Sequence, residues 1–279
     1  MVSDVMTEEK SLKKVSLFYF SGTGNTRYLA EKIAANFEKN NLICQAISIE
    51  TLSAKDAELC IHQSDMIGFA YPIYGSDIPV PMKEFMQQLQ QTPFRKTFVV
   101  CTQMMFSGDG ARIAKEFLND ERFHIMWGDH FNLPNNISIP QTAWFMPYTN
   151  DPVKISKIIE KADKQVERFV SGILSGKPYY KGFTVFSKLL GSMQRIPYRL
   201  MFPKLQNDVG IDDSTCIHCS LCEANCPVGN LSYTDGKWTT KGNCVLCVRC
   251  YDSCPVAAVT YKKKKHNHKY GMPYRGIKL

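Results

Sequence analysis

The chain has 279 residues, of which 44% are hydrophobic, enough for about two globular domains at ~100–200 residues each. It carries no uninterrupted apolar stretch of ~18 residues, so no membrane span is expected. Met1–Lys14 lacks the apolar core of a secretory signal, so a cytoplasmic location is the expectation. The net charge is +8, much of it in the tail over 262–279, where Lys262–Lys265 are followed by Lys269, Arg275 and Lys278. Such a tail reads as a solvated segment that also attracts acidic partners.

Residues 1–14 read as a lead-in. Val15–Phe20 (VSLFYF) is a short apolar run of strand type. It ends in Ser21-Gly22-Thr23-Gly24-Asn25-Thr26, after which Leu29, Ile33 and Phe37 recur at helical spacing. A strand, a tight polar loop and a helix start place backbone N–H groups and the positive helix end around an anion. Two familiar phosphate loops do not match. No Lys follows Gly24, as a P-loop requires, and position 27 is Arg where a dinucleotide fingerprint needs Gly. Further strands are predicted at Ile43–Ile49, Asp65–Ala70, Thr97–Thr102 and His124–Leu133, with helices at Pro79–Gln91 and Gly110–Leu118. This alternation predicts a parallel sheet with right-handed crossovers. The loops Tyr71–Ser76 and Gln103–Gly110 then leave the same sheet edge as the polar loop, where such sheets bind ligands.

Asp151 caps and Pro152 opens a long helix. Ile155, Ile159, Ala162, Val166, Phe169 and Ile173 form its apolar stripe, and Gly176 closes it. Lys177–Asp208 is basic and aromatic. Val185, Leu189 and Met193 in it fit a short helix. Basic residues between aromatics suit single-stranded nucleic acid, but nothing else in the chain resembles a nucleic-acid module, so a linker or docking segment is expected.

Eight of the eleven cysteines form two runs of one spacing, C-x2-C-x2-C-x3-C-P. Cys216, Cys219, Cys222 and Cys226 make the first, and Cys244, Cys247, Cys250 and Cys254 the second, the runs opening 28 residues apart. Soft thiolates select iron–sulfur iron, zinc or Cu(I). Zinc sites pair C-x2-C with a distant second pair and seldom add a third Cys three residues on. The spacing resembles that of bacterial two-cluster ferredoxins, in which the fourth Cys of each run ligates the other cluster. That resemblance implies one [4Fe–4S] cluster on Cys216, Cys219, Cys222 and Cys254, and a second on Cys244, Cys247, Cys250 and Cys226. Cys44, Cys60 and Cys101 read as small core residues, and His218, His266 and His268 as solvent-exposed.

The stretch FYFSGTGNTRYLA resembles the start of a short-chain flavodoxin. Taken whole, the chain resembles the flavodoxin–ferredoxin fusion proteins of anaerobic bacteria. The resemblance implies an α/β fold, a doubly wound five-stranded parallel sheet over 15–176. A linker over 177–208 and a small α+β two-cluster ferredoxin-like domain over 209–261 would follow. It implies FMN, with its phosphate on Ser21, Thr23, Gly24, Asn25 and Thr26. The flavin ring would lie among Pro72, Ile73, Tyr74, Gly75, Gln103, Met104, Phe106, Gly108 and Gly110. Tyr74 or Tyr71 would stack on the ring, and the three glycines would admit backbone amides to its polar edge. One departure stands out: many flavodoxins carry an aromatic residue two positions before Asp109, and here that position is Ser107. Either Phe106 substitutes or the ring is open on that face.

The implied function is electron transfer within the chain between the two clusters and FMN. An acidic redox protein of ferredoxin type is the expected partner. The alternative is a flavoenzyme that reduces a small substrate, and a third possibility is a nucleic-acid-binding iron–sulfur protein. No acid–base or nucleophile constellation and no nicotinamide site stands out, and the sequence does not specify an oligomeric state.

Overall fold

The computed structural model describes residues 12–89, 92–137, 149 and 151–265. The lead-in up to residue 11 and the tail beyond 265, with His266 and His268, lie outside the described residues. Six parallel strands build the first sheet: β1 (Lys14–Tyr19), β2 (Ile43–Ser48), β3 (Met66–Pro72), β4 (Arg95–Gln103), β5 (Phe123–Asn132) and β6 (Tyr179–Tyr180). Their order is β2-β1-β3-β4-β5-β6. The chain therefore reverses direction across the sheet beside β1, and the loops after β1 and β3 flank that switch point. The five expected strands are all present, and β6 is an addition from the segment read as a linker, pairing Tyr179 with Trp127 and Tyr180 with Gly128.

Alternation along β1 shows how the sheet buries both faces. Val15 and Leu17 pack on one side and Phe18 and Phe20 on the other, as a period of two requires. Helices α1 (Asn25–Glu38) and α4 (Pro152–Leu174) cover the first side, with Leu29, Ile33, Phe37, Val166 and Phe169 buried. On the second side lie α2 (Ala54–His62) and α3 (Val80–Gln88). Asp151 accepts hydrogen bonds from Val153 and Lys154 at the start of α4, and Gly176 follows its end at φ 72°. The helix expected over Gly110–Leu118 is shorter, a 3₁₀ turn over Arg112–Glu116. The sequence reading left α2 unassigned.

Residues 177–208 are more structured than a linker. They hold β6 and then α5 (Val185–Leu205), capped by Thr184, whose hydroxyl oxygen accepts from the Ser187 amide. The remaining elements are small: β7 (Val209–Ile211), α6 (Leu221–Ala224), β8 (Leu231–Thr234), β9 (Lys237–Thr240), α7 (Arg249–Ser253), β10 (Val259–Tyr261) and β11 (Lys264–Lys265). β10 pairs antiparallel with β7 and β11, and β8 with β9. Tyr251, Cys254, Ala258, Val259 and Tyr261 form their own apolar centre. Val245 and Cys247, by contrast, join the core on the second side of the first sheet.

Candidate functional site

The two cysteine runs fold alike. In each, the second residue after the first Cys and the residue after the second Cys take left-handed backbone angles: His218 (φ 52°) and Ser220 (φ 55°), then Leu246 (φ 56°) and Val248 (φ 52°). A β-branched residue such as Val248 is costly there, and surrounding structure must impose it. The third residue after the fourth Cys is also left-handed in both runs, Gly229 (φ 55°) and Ala257 (φ 54°). These angles turn amides toward sulfur. His218 N–H donates to Cys216 Sγ and Leu246 N–H to Cys244 Sγ, both at 3.4 Å. Asn230 N–H donates to Cys226 Sγ and Ala258 N–H to Cys254 Sγ, both at 3.1 Å.

Each set of cysteines borders a recess. One is lined by Cys226, Cys244, Cys247 and Cys250. The other is lined by Cys216, Cys219, Cys222 and Cys254, with Trp238 on its wall. The fourth Cys of each run thus faces the recess of the other run. The Trp238 indole N–H is buried without an acceptor. Among the described residues, no three His, Cys, Asp or Glu side chains converge as a single ion would require. All eleven cysteines are free of disulfides. Burial pushes the thiols up, Cys244 to about 12 and Cys222 and Cys247 to about 11. Bare thiolates are thus disfavoured in these recesses unless a cationic group offsets them. His218 is exposed, its ring tilted against that of Tyr233 with centroids 4.8 Å apart.

The polar loop after β1 is tightly organised. Gly24 sits at φ 104°, and the Ser21 hydroxyl oxygen accepts from the amides of Gly24 and Arg27 at 3.1 and 3.2 Å. Asn25 donates to the Pro134 carbonyl, Asn136 to the Thr23 carbonyl, and the Thr26 hydroxyl meets that of Thr102 at 2.8 Å. The first-turn amides of α1 have no intrahelical partner by construction and make this end a natural anion seat.

The expected ring-side residues divide. Tyr71 is buried in the core, its hydroxyl donating to the Gly110 carbonyl at 2.8 Å, so it is not available to stack on a ligand. Gly75 lies against the Tyr198 ring and Gly108 against the Gly191 backbone, both from α5. These two glycines permit the close approach of a helix, which is a different use from the one expected. Gly110 packs on Ser107 and Cys101. Ser107 is buried between Gln103 and His130. Pro72, Ile73, Gln103 and Met104 are half-buried and Phe106 is exposed, leaving this side as the open one.

Tyr74 turns toward the cysteine-rich half. A side-chain carbon built on Gly22 would come within 2.5 Å of the Tyr74 hydroxyl and 2.7 Å of the Cys247 carbonyl. The residue that ties this junction is Arg249, which the sequence reading passed over. Its guanidinium donates to the carbonyls of Ser21 (2.7 Å), Gly22 (3.1 Å) and Asn225 (3.1 Å) and to both carboxylate oxygens of Glu50 (2.6 and 2.8 Å). On the other side of the edge, Arg195 of α5 donates to the Ser76 carbonyl and to both oxygens of the buried Asp109. Arg199 and Lys83 hold Asp77 below its usual carboxylate range despite its burial. A buried arginine surrounded by carbonyls leaves no periodic trace in a sequence, which is why composition and spacing did not find either one.

The family model of the flavodoxin domain matches residues 16–124. This part of the chain is a flavodoxin-like domain. The match spans the first four strands and the polar loop, and stops within β5. Solved structures of similar shape include a flavodoxin from the domain Archaea, 14% identical, covering 57% of this chain and 98% of that chain at a TM-score of 0.35. A flavodoxin of Streptococcus pneumoniae, also 14% identical, covers 57% and 99% at 0.39. A short-chain flavodoxin associated with a PDU bacterial microcompartment, 13% identical, covers 60% and 99% at 0.42. No curated protein matches the chain.

Proposed function

We propose that this chain is an electron-transfer protein that holds two [4Fe–4S] clusters in its cysteine-rich half and FMN on its flavodoxin-like domain. The observation that carries the reading is the pair of recesses, each lined by three cysteines of one run and the fourth of the other. A lone zinc would need its sulfurs within about 2.3 Å of one point. Thiols set around a recess suit a larger body, and the four N–H···S contacts suit one that carries negative charge on sulfur. The unpartnered Trp238 indole fits the same body, since a buried N–H without an acceptor is costly.

When bound, the clusters supply one-electron steps and FMN takes up one or two electrons with protons. The chain's own residues position them. Cys216, Cys219, Cys222 and Cys254 would hold one cluster, and Cys244, Cys247, Cys250 and Cys226 the other. Thr23, Gly24, Asn25, Thr26 and the Ser21 hydroxyl would hold the FMN phosphate. The ring would rest on the open side formed by Pro72, Ile73, Gln103, Met104 and Phe106, with Tyr74 behind the loop. The Cys247 set is the one nearer the phosphate loop, because Cys247 abuts Gly22 and Arg249 clamps Ser21 and Gly22. The partner would be an acidic redox protein.

The crossed ligand assignment gives the direct test. Replacement of Cys254 by Ser should remove the cluster of the Cys216 run and leave about four of eight irons, with the signals of the Cys244 set intact. Loss of the Cys244-set signals instead would contradict the assignment. Zinc in place of iron in the wild-type protein would sink the reading altogether.

A further inference from the structure

Helix α5 is turned inside out. Its polar side faces the protein, where Arg195 and Arg199 reach Asp109 and Asp77 and Ser76 meets Gln194. Its apolar side faces outward. Val185, Phe186, Leu189, Met193, Ile196 and Leu200 are each 58–86% exposed. At 100° per residue these six fall on one face of the helix. Together they expose on the order of 700 Å² of apolar surface, above the ~300–600 Å² of the largest patch on a typical monomer. Tyr179 and Tyr180, also exposed, stand just before the helix.

Charge decides what covers this face. From Gly176 to Asn207 the chain has no acidic residue and six basic ones. Arg195 and Arg199 are spent inward, and Lys181 reaches Asp129 at 3.0 Å. Lys177, Lys188 and Lys204 remain exposed along the helix and its approach. Two copies of the chain packed face to face on this stripe would bring the lysines of both helices together, with no acid in 176–207 to meet them. An apolar helix face flanked by lysines and preceded by tyrosines matches an interfacial anchor, with amphipathic rings suited to headgroup depth. No described helix is long and apolar enough to cross a membrane, so the fit is to lie on a surface.

We propose that the outward face of α5 docks this protein onto an anionic lipid surface, with Val185, Phe186, Leu189, Met193, Ile196 and Leu200 entering the acyl boundary and Lys177, Lys188 and Lys204 meeting lipid phosphates. This rests on α5 alone and stands apart from the cofactor reading.

The test is co-sedimentation of the full chain, purified anaerobically, with vesicles of phosphatidylcholine alone and of phosphatidylcholine with phosphatidylglycerol. Binding is expected to the anionic vesicles and to weaken with salt. It should fall at least about tenfold in a Leu189→Ser/Met193→Ser/Leu200→Ser variant and in a Lys188→Gln/Lys204→Gln variant. These positions are exposed, and an unchanged thermal midpoint would verify folding. Light scattering accompanies each preparation. Absence of binding to either vesicle, or binding that both variants retain, overturns the proposal. So does a dimer that the triple variant converts to monomer, since the face would then be taken by a second copy.

Discussion

His130 is held neutral by burial, its pKa pushed down to about 4, with Lys181 adding to the effect. Its Nε2 accepts the Ala111 amide at 3.1 Å, which fixes the proton on Nδ1 toward Ser107. An unfolded chain would protonate this ring near 6.5, so between about 6.5 and 4 the unfolded state binds a proton that the native state does not. Stability should therefore drop as pH falls through that window, by up to about 3 kcal/mol. His130→Gln retains an acceptor for Ala111 and should flatten the profile in denaturant titrations. An equally steep profile in the variant would assign the drop to other groups. Trp238 gives a second residue-scale prediction. If its indole donates to a bound cluster, it favours the more negative, reduced state, so Trp238→Phe should lower one reduction potential by tens of millivolts, at ~59 mV per tenfold change. A redox titration followed by electron paramagnetic resonance would detect this. An unshifted pair of potentials would place the indole outside the cluster's reach.

Elements were legible where a repeating signal marked them. The strand–loop–helix at Val15–Phe37 and the α4 stripe closed by Gly176 follow from periodicity and capping. The matching backbone of the two cysteine runs follows from their repeated spacing. α2 was missed because only Ala57 and Ile61 of its nine residues are buried, too few to mark a stripe. α5 was read as a short helix within a linker because Pro197 and Pro203, residues that ordinarily end a helix, lie inside its continuous run. The ring-side glycines were read as ligand contacts because a sequence does not show which neighbour a glycine admits. For Gly75 and Gly108 the neighbour is α5. At this scale Arg249 is the test case. Arg249 is buried while Glu50 stays partly open to solvent, so the larger cost lies in the buried carbonyls that Arg249 satisfies, about 1–3 kcal/mol for a group left unpaired. Arg249→Leu should lower the unfolding midpoint sharply, because it leaves the Ser21, Gly22 and Asn225 carbonyls without their donor, and Glu50→Leu should cost less in that background than in the wild-type chain. Additive losses in the double-mutant cycle would mean that the two side chains act independently.

At the scale of the molecule, the cysteine-rich half is built into the flavodoxin-like domain. Val245 and Cys247 share its core, Arg249 grips the polar loop after β1, and α5 spans the loops after β3 and β4. Cofactors held in such a frame would keep a fixed separation, which is the condition for electron exchange within one chain to outpace exchange between chains. The central claim is that both halves carry redox cofactors. The most direct measurement is iron, acid-labile sulfide, zinc and released flavin in anaerobically purified protein. The account predicts about eight iron, eight sulfide and one FMN per chain. Zinc with neither iron nor sulfide would contradict it, and clusters without flavin would leave the cysteine-rich half standing while removing FMN from the account.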